Sequence, residues 1–548
     1  MVQTPNQNIA AKLAEQAVAR GSRTALTEAA SGRTMTFAEL NALADGYGQV
    51  LRSQGVGLGT RVMLMVRPSA DFIALTFALF KLGAPVILVD PGMGYKNLLT
   101  CIGGVRPEFL VGSPKACLFR LLFSKPFASV HKAFCCGRSF GLFGPDLRSQ
   151  AARLGRPLKV IKSAADDLAA IIFTTGSTGP PKGVRYEHQV FRAQLALIRD
   201  VYGVGAGDID QPAFPLFGLF STALGAAAVI PDMDSSRPAQ VNPKRFIASL
   251  QRVRVTYSFG SPALWNVVSR YCLAHNIVLD SLRLVLMAGA PVSGELIERM
   301  QKVLPATARI HTPYGATEAL PVASMEGQEI VAETWPLTCQ GKGTCVGRAL
   351  PGIDIRVIPL SDEPIEEWRE ERWLPPGEIG EIVARGPVVT RSYEENPEEN
   401  RLSKILDQET FWHRMGDLGY LDDRGRLWFC GRRAHRVVTH QKTLFTIPCE
   451  AIVNTHPSVF RSALVGIQDP DHPGCQLPVL IVERGRQLAI GADQLLKEVR
   501  ALAAQSLVTQ EIKLFLIHPD FPVDIRHNAK IFREKLSLWA AGELKAGS

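Results

Sequence analysis

The 548-residue chain lacks a zinc-type cysteine pattern, a long apolar run and a dominant charge of one sign. Its ten cysteines mostly stand alone, with no CxxC pair and no Cys/His cluster at ligand spacing, so a structural zinc module is excluded. Cys135 and Cys136 are adjacent, and neighbours in sequence rarely form a disulfide or share one metal. Reduced, buried thiols in a cytoplasmic protein are the expectation. Met1–Gln16 has no apolar core, so no signal peptide is expected. The longest uncharged run, Gln211–Pro231, is broken by Pro215, Gly218 and Gly225. It falls short of the roughly 20 apolar residues of a membrane helix, and a buried loop-and-helix segment is expected instead. The 61 basic and 52 acidic residues leave a net charge of +9, spread along the chain, so no nucleic-acid face is expected. No internal repeat or low-complexity tract is present.

What is present is an alternation. Arg61–Val66, Ala84–Val89, Ala169–Thr174 and Leu282–Met287 are short apolar runs that read as buried strands. Ala70–Leu82 and Ser293–Val303 carry apolar residues at helical spacing. Such alternation predicts parallel sheets covered by helices. After about Gly352 the runs become half-exposed strands with tight turns, such as Gly380–Gly386 and the turn Asp422–Gly425. Short strands at Ala463–Ile467 and Val479–Val482, with helices, follow from Arg433 on. One stretch stands out in charge. Bases outnumber acids in Arg106–Lys162, and within it Cys117–Phe143 interleaves Phe with Arg120, Lys125, Lys132 and Arg138. Such a stretch suits contact with lipid, acyl chain or partner, or packing on the N-terminal domain.

The most informative segment is TTGSTGPPKG, Thr174–Gly183. Glycine lets a backbone approach oxygen closely and hydroxyls hydrogen-bond it, so Thr174, Thr175, Gly176, Ser177, Thr178, Gly179 and Lys182 suit a polyphosphate. It is not the GxxxxGK[ST] loop of the NTPases. The segment resembles the signature loop of the adenylate-forming enzymes, which join a carboxylate to the AMP of ATP and release pyrophosphate. Further segments agree in order: Ala84–Pro91, the loop Ala288, Gly289, Ala290, Pro291, the YGxTE match Tyr314–Glu318, Asp417, Arg432 and Lys530.

The resemblance implies an α/β fold. A large N-terminal adenylation domain (1–432), with sheets covered by helices and a β-rich subdomain (about 352–432), would carry a small mobile α+β lid (433–548). It also implies roles. The Gly289 loop and Tyr314–Gly315 would hold adenine, Thr317 the α-phosphate, Glu318 a Mg²⁺ ion, and Asp417 and Arg432 the ribose. Lys530 would be the catalytic cation. ATP and Mg²⁺ are the implied cofactors.

The departures concern the second step. Ala434 aligns with the usual hinge Asp or Lys, and His440 and Gln441 replace the small residues of a thiol-delivery strand. Gly218 replaces an aromatic-gate His, and Pro522–Lys530 is longer than the usual lysine loop. Bulk at small-residue positions would crowd a pantetheine tunnel. Pro522–Leu536, the Gly218 variant and the basic aromatic stretch Cys117–Phe143 together resemble the branch of the family that closes β-lactones in bacterial long-chain olefin biosynthesis. That branch implies a long-chain 2-alkyl-3-hydroxyalkanoic acid as substrate, and a complex with the pathway's reductase and β-lactone decarboxylase. Phe217, Gly218, Phe259, Gly260 and His188 are the candidate substrate contacts. His188, Arg526 and His527 are candidate bases. A long-chain acyl-CoA or acyl-AMP ligase, and a non-catalytic nucleotide-binding scaffold, are the competing readings.

Overall fold

Strands buried on both faces have no solvent side, so they read as continuous apolar runs. In the computed structural model, which describes residues 6–154, 156–174, 181–214, 216–485, 490–523 and 531–546, these runs are strands. Val62–Met65, Val86–Leu88 and Leu168–Thr174 belong to a six-stranded sheet. Its order is Lys132–Cys135, Phe109–Gly112, Val62–Met65, Val86–Leu88, Leu168–Thr174, Lys182–Glu187, parallel except for the last pair. Thr174 lies opposite Lys182 in that antiparallel pair, so the signature segment starts on one strand and ends on the other.

The expected helices begin where a serine supplies a cap. Ser69 accepts from the Phe72 N–H at the start of Ala70–Lys81, and Ser293 from Leu296 at the start of Gly294–Gln301. Gln211–Pro231 contains the short helix Phe217–Ala223 and the strand Ala227–Ile230. No described helix is long and apolar enough to cross a membrane.

A fourteen-stranded sheet carries Tyr257–Gly260, Leu284–Met287 and Arg309–Ala316 side by side in parallel. The chain then reverses into Ala319–Glu326. That strand pairs with Thr344–Ala349, which continues through Leu427–Arg432, Thr410–Leu421, Gly380–Arg385 and Asp354–Ile358. The β-rich region after Gly352 is thus hydrogen-bonded into the same sheet. Cys117–Phe143 is drawn into the fold as well. Helix Pro114–Leu122 leads to the edge strand Lys132–Cys135, parallel to Phe109–Gly112.

The last hundred residues hold a separate three-stranded sheet, Val459–Gln468, Gln476–Arg484 and Leu514–Ile517, with helices Thr446–Val453, Ala492–Ala504 and Arg533–Ala546. The two expected strands are the centres of the first two. Half-buried Arg533 grips both carboxylate oxygens of buried Glu450 at 2.6 and 2.7 Å.

Helix Phe217–Ala223 is tied to the large sheet by polar groups. Tyr257 Oη donates to Ser221 Oγ at 2.9 Å, and Ser221 Oγ donates to Asp210 Oδ2 at 2.5 Å. Burial raises the Asp210 carboxyl to about 8, above its usual 3.8. The folded state therefore binds an extra proton between about pH 4 and 8, and this contribution to stability falls as pH rises through that window. Asp210→Asn removes the titration. The melting temperature of the variant should gain on the parent as pH is raised from 5 to 8, read by thermal denaturation. A constant difference between the two would contradict the assignment.

Candidate active site

The reversal between Arg309–Ala316 and Ala319–Glu326 needs glycine. A Cβ on Gly315 would lie 2.4 Å from the Ala319 carbonyl oxygen. The reversal is pinned from both sides. Tyr186 Oη donates to the Thr317 carbonyl at 2.5 Å, and Thr390 donates through its N–H and Oγ1 to the Glu318 carbonyl at 2.8 and 3.1 Å. Thr317 and Glu318 then face a cavity of about 1640 Å³.

Most of the expected residues meet on that cavity. Lys182, Gly289, Ala290, Pro291, Tyr314, Gly315, Thr317, Glu318, Asp417 and Arg432 line it, as do Phe217, Phe259 and Gly260. Gly289 takes φ +95°, which glycine tolerates best. Phe217 and Phe259 stack at 3.7 Å between centroids. Thr174 ends its strand, but its side chain, together with Thr175, Gly176, Ser177, Thr178, Gly179, Arg526, His527 and Lys530, lies outside the described residues. Ile531, the next residue after Lys530, lines the cavity.

Two expected residues stand away from it. Gly218 is buried in its helix, where a Cβ would sit 3.3 Å from Ile73 Cδ1. His188 is buried, its Nδ1 accepts from the Ile9 N–H at 3.3 Å, and burial lowers its imidazole to about 4. It packs edge-on against Phe80.

Two polar clusters divide the wall. In the first, Asp417 accepts from Tyr314 Oη at 2.6 Å and pairs with Arg432 Nη1 at 3.1 Å. Asp417 holds the guanidinium proton more tightly than usual, and burial pushes the Tyr314 hydroxyl well up. In the second, Tyr393 Oη donates to Glu318 Oε1 at 2.9 Å, and Lys182 pairs with Glu399 while lying 5.6 Å above the Tyr393 ring. Lys404 donates to the Thr390 carbonyl, and desolvation lowers its amine to about 7. Tyr393, Glu399 and Lys404 escaped sequence reasoning, because RSYEENPEENRLSK, Arg391–Lys404, has the composition of a polar loop. Contacts across space bring them here: Val184 pairs with Tyr393, and the Glu394 N–H donates to the Gly183 carbonyl.

Residues 13–394 match the family model described as AMP-binding enzyme. The chain belongs to the AMP-binding enzyme family. It is 42% identical to an olefin beta-lactone synthetase of Stenotrophomonas maltophilia, covering 98% of this chain and 99% of that one. It is 43% identical to an olefin beta-lactone synthetase of Xanthomonas campestris pv. campestris, covering 95% and 93%. The amide bond synthetase McbA from Marinactinospora thermotolerans shares the fold at a TM-score of 0.80 and 21% identity, over 98% of this chain and all of that one.

In this AMP-binding enzyme the donor set around Glu318 fits a hard divalent cation. Oε1 is taken by Tyr393, whereas Oε2 accepts no hydrogen bond among the described residues. A half-buried carboxylate oxygen on a cavity wall is the ligand type that Mg²⁺ takes. Tyr314→Phe tests the first cluster. Loss of a hydrogen bond to a carboxylate costs about 1.5–3 kcal/mol of fold stability, and the KM for ATP should rise as Asp417 loses the hydroxyl that orients it, with the fold retained by circular dichroism. An unchanged KM would separate Tyr314 from nucleotide binding.

Proposed function

We propose that this AMP-forming ligase activates a long-chain 2-alkyl-3-hydroxyalkanoic acid with ATP and closes it to a β-lactone. The observation that carries the reading is the nearly full-length relation to two olefin beta-lactone synthetases. In the first step a carboxylate oxygen attacks the α-phosphorus and pyrophosphate leaves. In the second the 3-hydroxyl oxygen attacks the acyl carbon, its proton passes to a base, and AMP leaves. The nucleophile is already attached, so the ring closes at high effective concentration and without a second substrate.

The residues divide the work. Tyr314 and the Gly289 loop hold adenine, and Asp417 and Arg432 hold the ribose. Thr317 and the Thr174–Gly183 loop bind phosphate oxygens. Glu318 would hold Mg²⁺, which offsets phosphate charge when bound. Lys530 would bridge the substrate carboxylate and the α-phosphate and stabilise the charge that develops there. Phe217, Phe259 and Gly260 face the acyl part of the cavity. Arg526 and His527 are the bases to test, since His188 is enclosed away from the cavity. The reading extends to a complex with the pathway's reductase and β-lactone decarboxylase.

The acceptor side supports lactone closure over thiol delivery. Ala434 lies in the single turn Arg433–His435, held by Arg433 on the Ser361 carbonyl at 2.8 Å and Arg436 on Asp362 at 2.6 Å. His440 stacks on His472 at 4.3 Å, placing imidazole bulk where a thiol-delivery strand would need small residues.

Incubation with ATP, Mg²⁺ and a long-chain 2-alkyl-3-hydroxy acid should give AMP and a neutral lactone without CoA. Strict dependence on CoA with a thioester product would overturn this. Lys530→Ala should lower AMP formation by about 100-fold or more while leaving the melting temperature unchanged. Near-normal turnover would remove Lys530 from the chemistry.

A further inference from the structure

The solvent face of a surface helix is normally polar. Helix Pro114–Leu122 breaks this rule. Leu118, Leu121 and Leu122 are 48, 60 and 70% exposed, and Phe123 at its C-cap is 40% exposed. Among the described residues, eighteen large apolar side chains are exposed, and seven of them fall between Tyr95 and Leu142. That clustering separates the region from the single exposed leucines that any surface carries. The elements are neighbours. Tyr95 stacks on Phe119 at 5.8 Å, and Gly137, in the loop that leads to Phe140 and Leu142, packs on Pro114.

The same stretch is basic. From Pro91 to Pro145 there are seven Lys and Arg residues and one acid, Glu108, whose Oε1 is taken by the Arg61 N–H. The cavity also reaches this face. Tyr95, Lys115 and Phe119 line it, and Tyr95 is 73% exposed.

We infer that helix Pro114–Leu122 and its flanking loops dock on an anionic lipid surface, and that the alkyl chain of the acid enters the cavity past the stacked rings of Tyr95 and Phe119. The second half rests on the long-chain reading above. A bilayer supplies both features that this face is built for, diffuse negative charge and an apolar layer into which leucines insert. Transfer at such a lip spares the chain its passage through water, which costs about fourfold in equilibrium for each methylene exposed.

The test uses the full chain with vesicles of phosphatidylcholine alone and of phosphatidylcholine mixed with phosphatidylglycerol. Co-sedimentation with the anionic vesicles only, released by salt, is expected. Leu121→Asp/Leu122→Asp should lower it at least about tenfold, and Lys125→Glu/Arg138→Glu should lower it while leaving the apolar face intact. Both variants should form AMP from a short, soluble 3-hydroxy acid at the parent rate, and should show a raised KM only for acid presented in vesicles. Absence of vesicle binding by the parent, or equal binding by parent and variants, would overturn the inference. So would capture of a protein partner that the variants lose without any vesicle binding. Vesicle binding does not depend on lactone formation, so its failure leaves the proposed reaction standing, and failure of that reaction leaves the docking result standing.

Discussion

One carboxylate, Asp417, ties together strands that a flat sheet would keep apart. It lies opposite Arg432 in the pair Thr410–Leu421 and Leu427–Arg432. Tyr314, whose hydroxyl it accepts at 2.6 Å, lies four strands away in the sheet order. Four spacings of about 4.8 Å would separate flat strands by about 19 Å. The hydrogen bond therefore requires the sheet to curl back on itself between Arg309–Ala316 and Thr410–Leu421. The concave side of that curl is the wall on which Tyr314, Glu318, Asp417 and Arg432 meet. The site is in this sense a consequence of sheet closure, and the β-rich region cannot be separated from it.

Closure makes the wall depend on residues with no chemistry of their own. Gly315 allows the reversal that turns Thr317 and Glu318 toward the cavity, and a methyl group there would collide with the Ala319 backbone. Glu394 is buried and shared by Arg61 and Arg185, both at 2.5 Å. It anchors the segment whose next elements bring Tyr393 and Glu399 to Glu318 and Lys182. A buried carboxylate between two guanidinium groups contributes little net stability, because desolvation offsets most of the attraction, but removing either partner leaves an unpaired buried charge. Such a network specifies where its neighbours lie more than it strengthens the fold.

This explains what was legible in the sequence. The buried strands Val62–Met65, Val86–Leu88, Leu168–Thr174 and Leu284–Met287 announce themselves through composition, because both of their faces are apolar. The motif residues announce themselves because close approach to phosphate admits few side chains. The continuity of the large sheet was hidden, since register between Ala319–Glu326 and Thr344–Ala349 depends on partners and leaves no local period. Tyr393 and Lys404 were hidden for the same reason. The basic stretch Cys117–Phe143 was half legible. Its charge and phenylalanines were plain, but only the pairing of Lys132–Cys135 with Phe109–Gly112 makes it a strand–helix–strand unit with an exposed apolar helix face.

The C-terminal unit repeats the logic of a buried ion pair used for position. Glu450, Ile531 and Arg533 all reach the cavity, and Ile531 bridges to Val523, so both ends of the segment that carries Lys530 are held together. Glu450 also accepts the Leu464 N–H at 2.9 Å, which leaves its carboxylate little freedom beside Arg533. In the proposed reaction Lys530 would act only within hydrogen-bond reach of the charge that develops, and a displacement of about 1 Å costs on the order of 100-fold in rate. Fixing the residues just after Lys530 to helix Thr446–Val453 shortens the path over which such an error accumulates. The same helix begins thirteen residues after Arg433, so the turn Arg433–His435 and the residue that holds Arg533 lie on one short stretch of chain. In the proposed reaction a carboxylate oxygen attacks the α-phosphorus and the 3-hydroxyl then attacks the neighbouring acyl carbon, so both steps take place around one acyl phosphate and need no second substrate to be brought in.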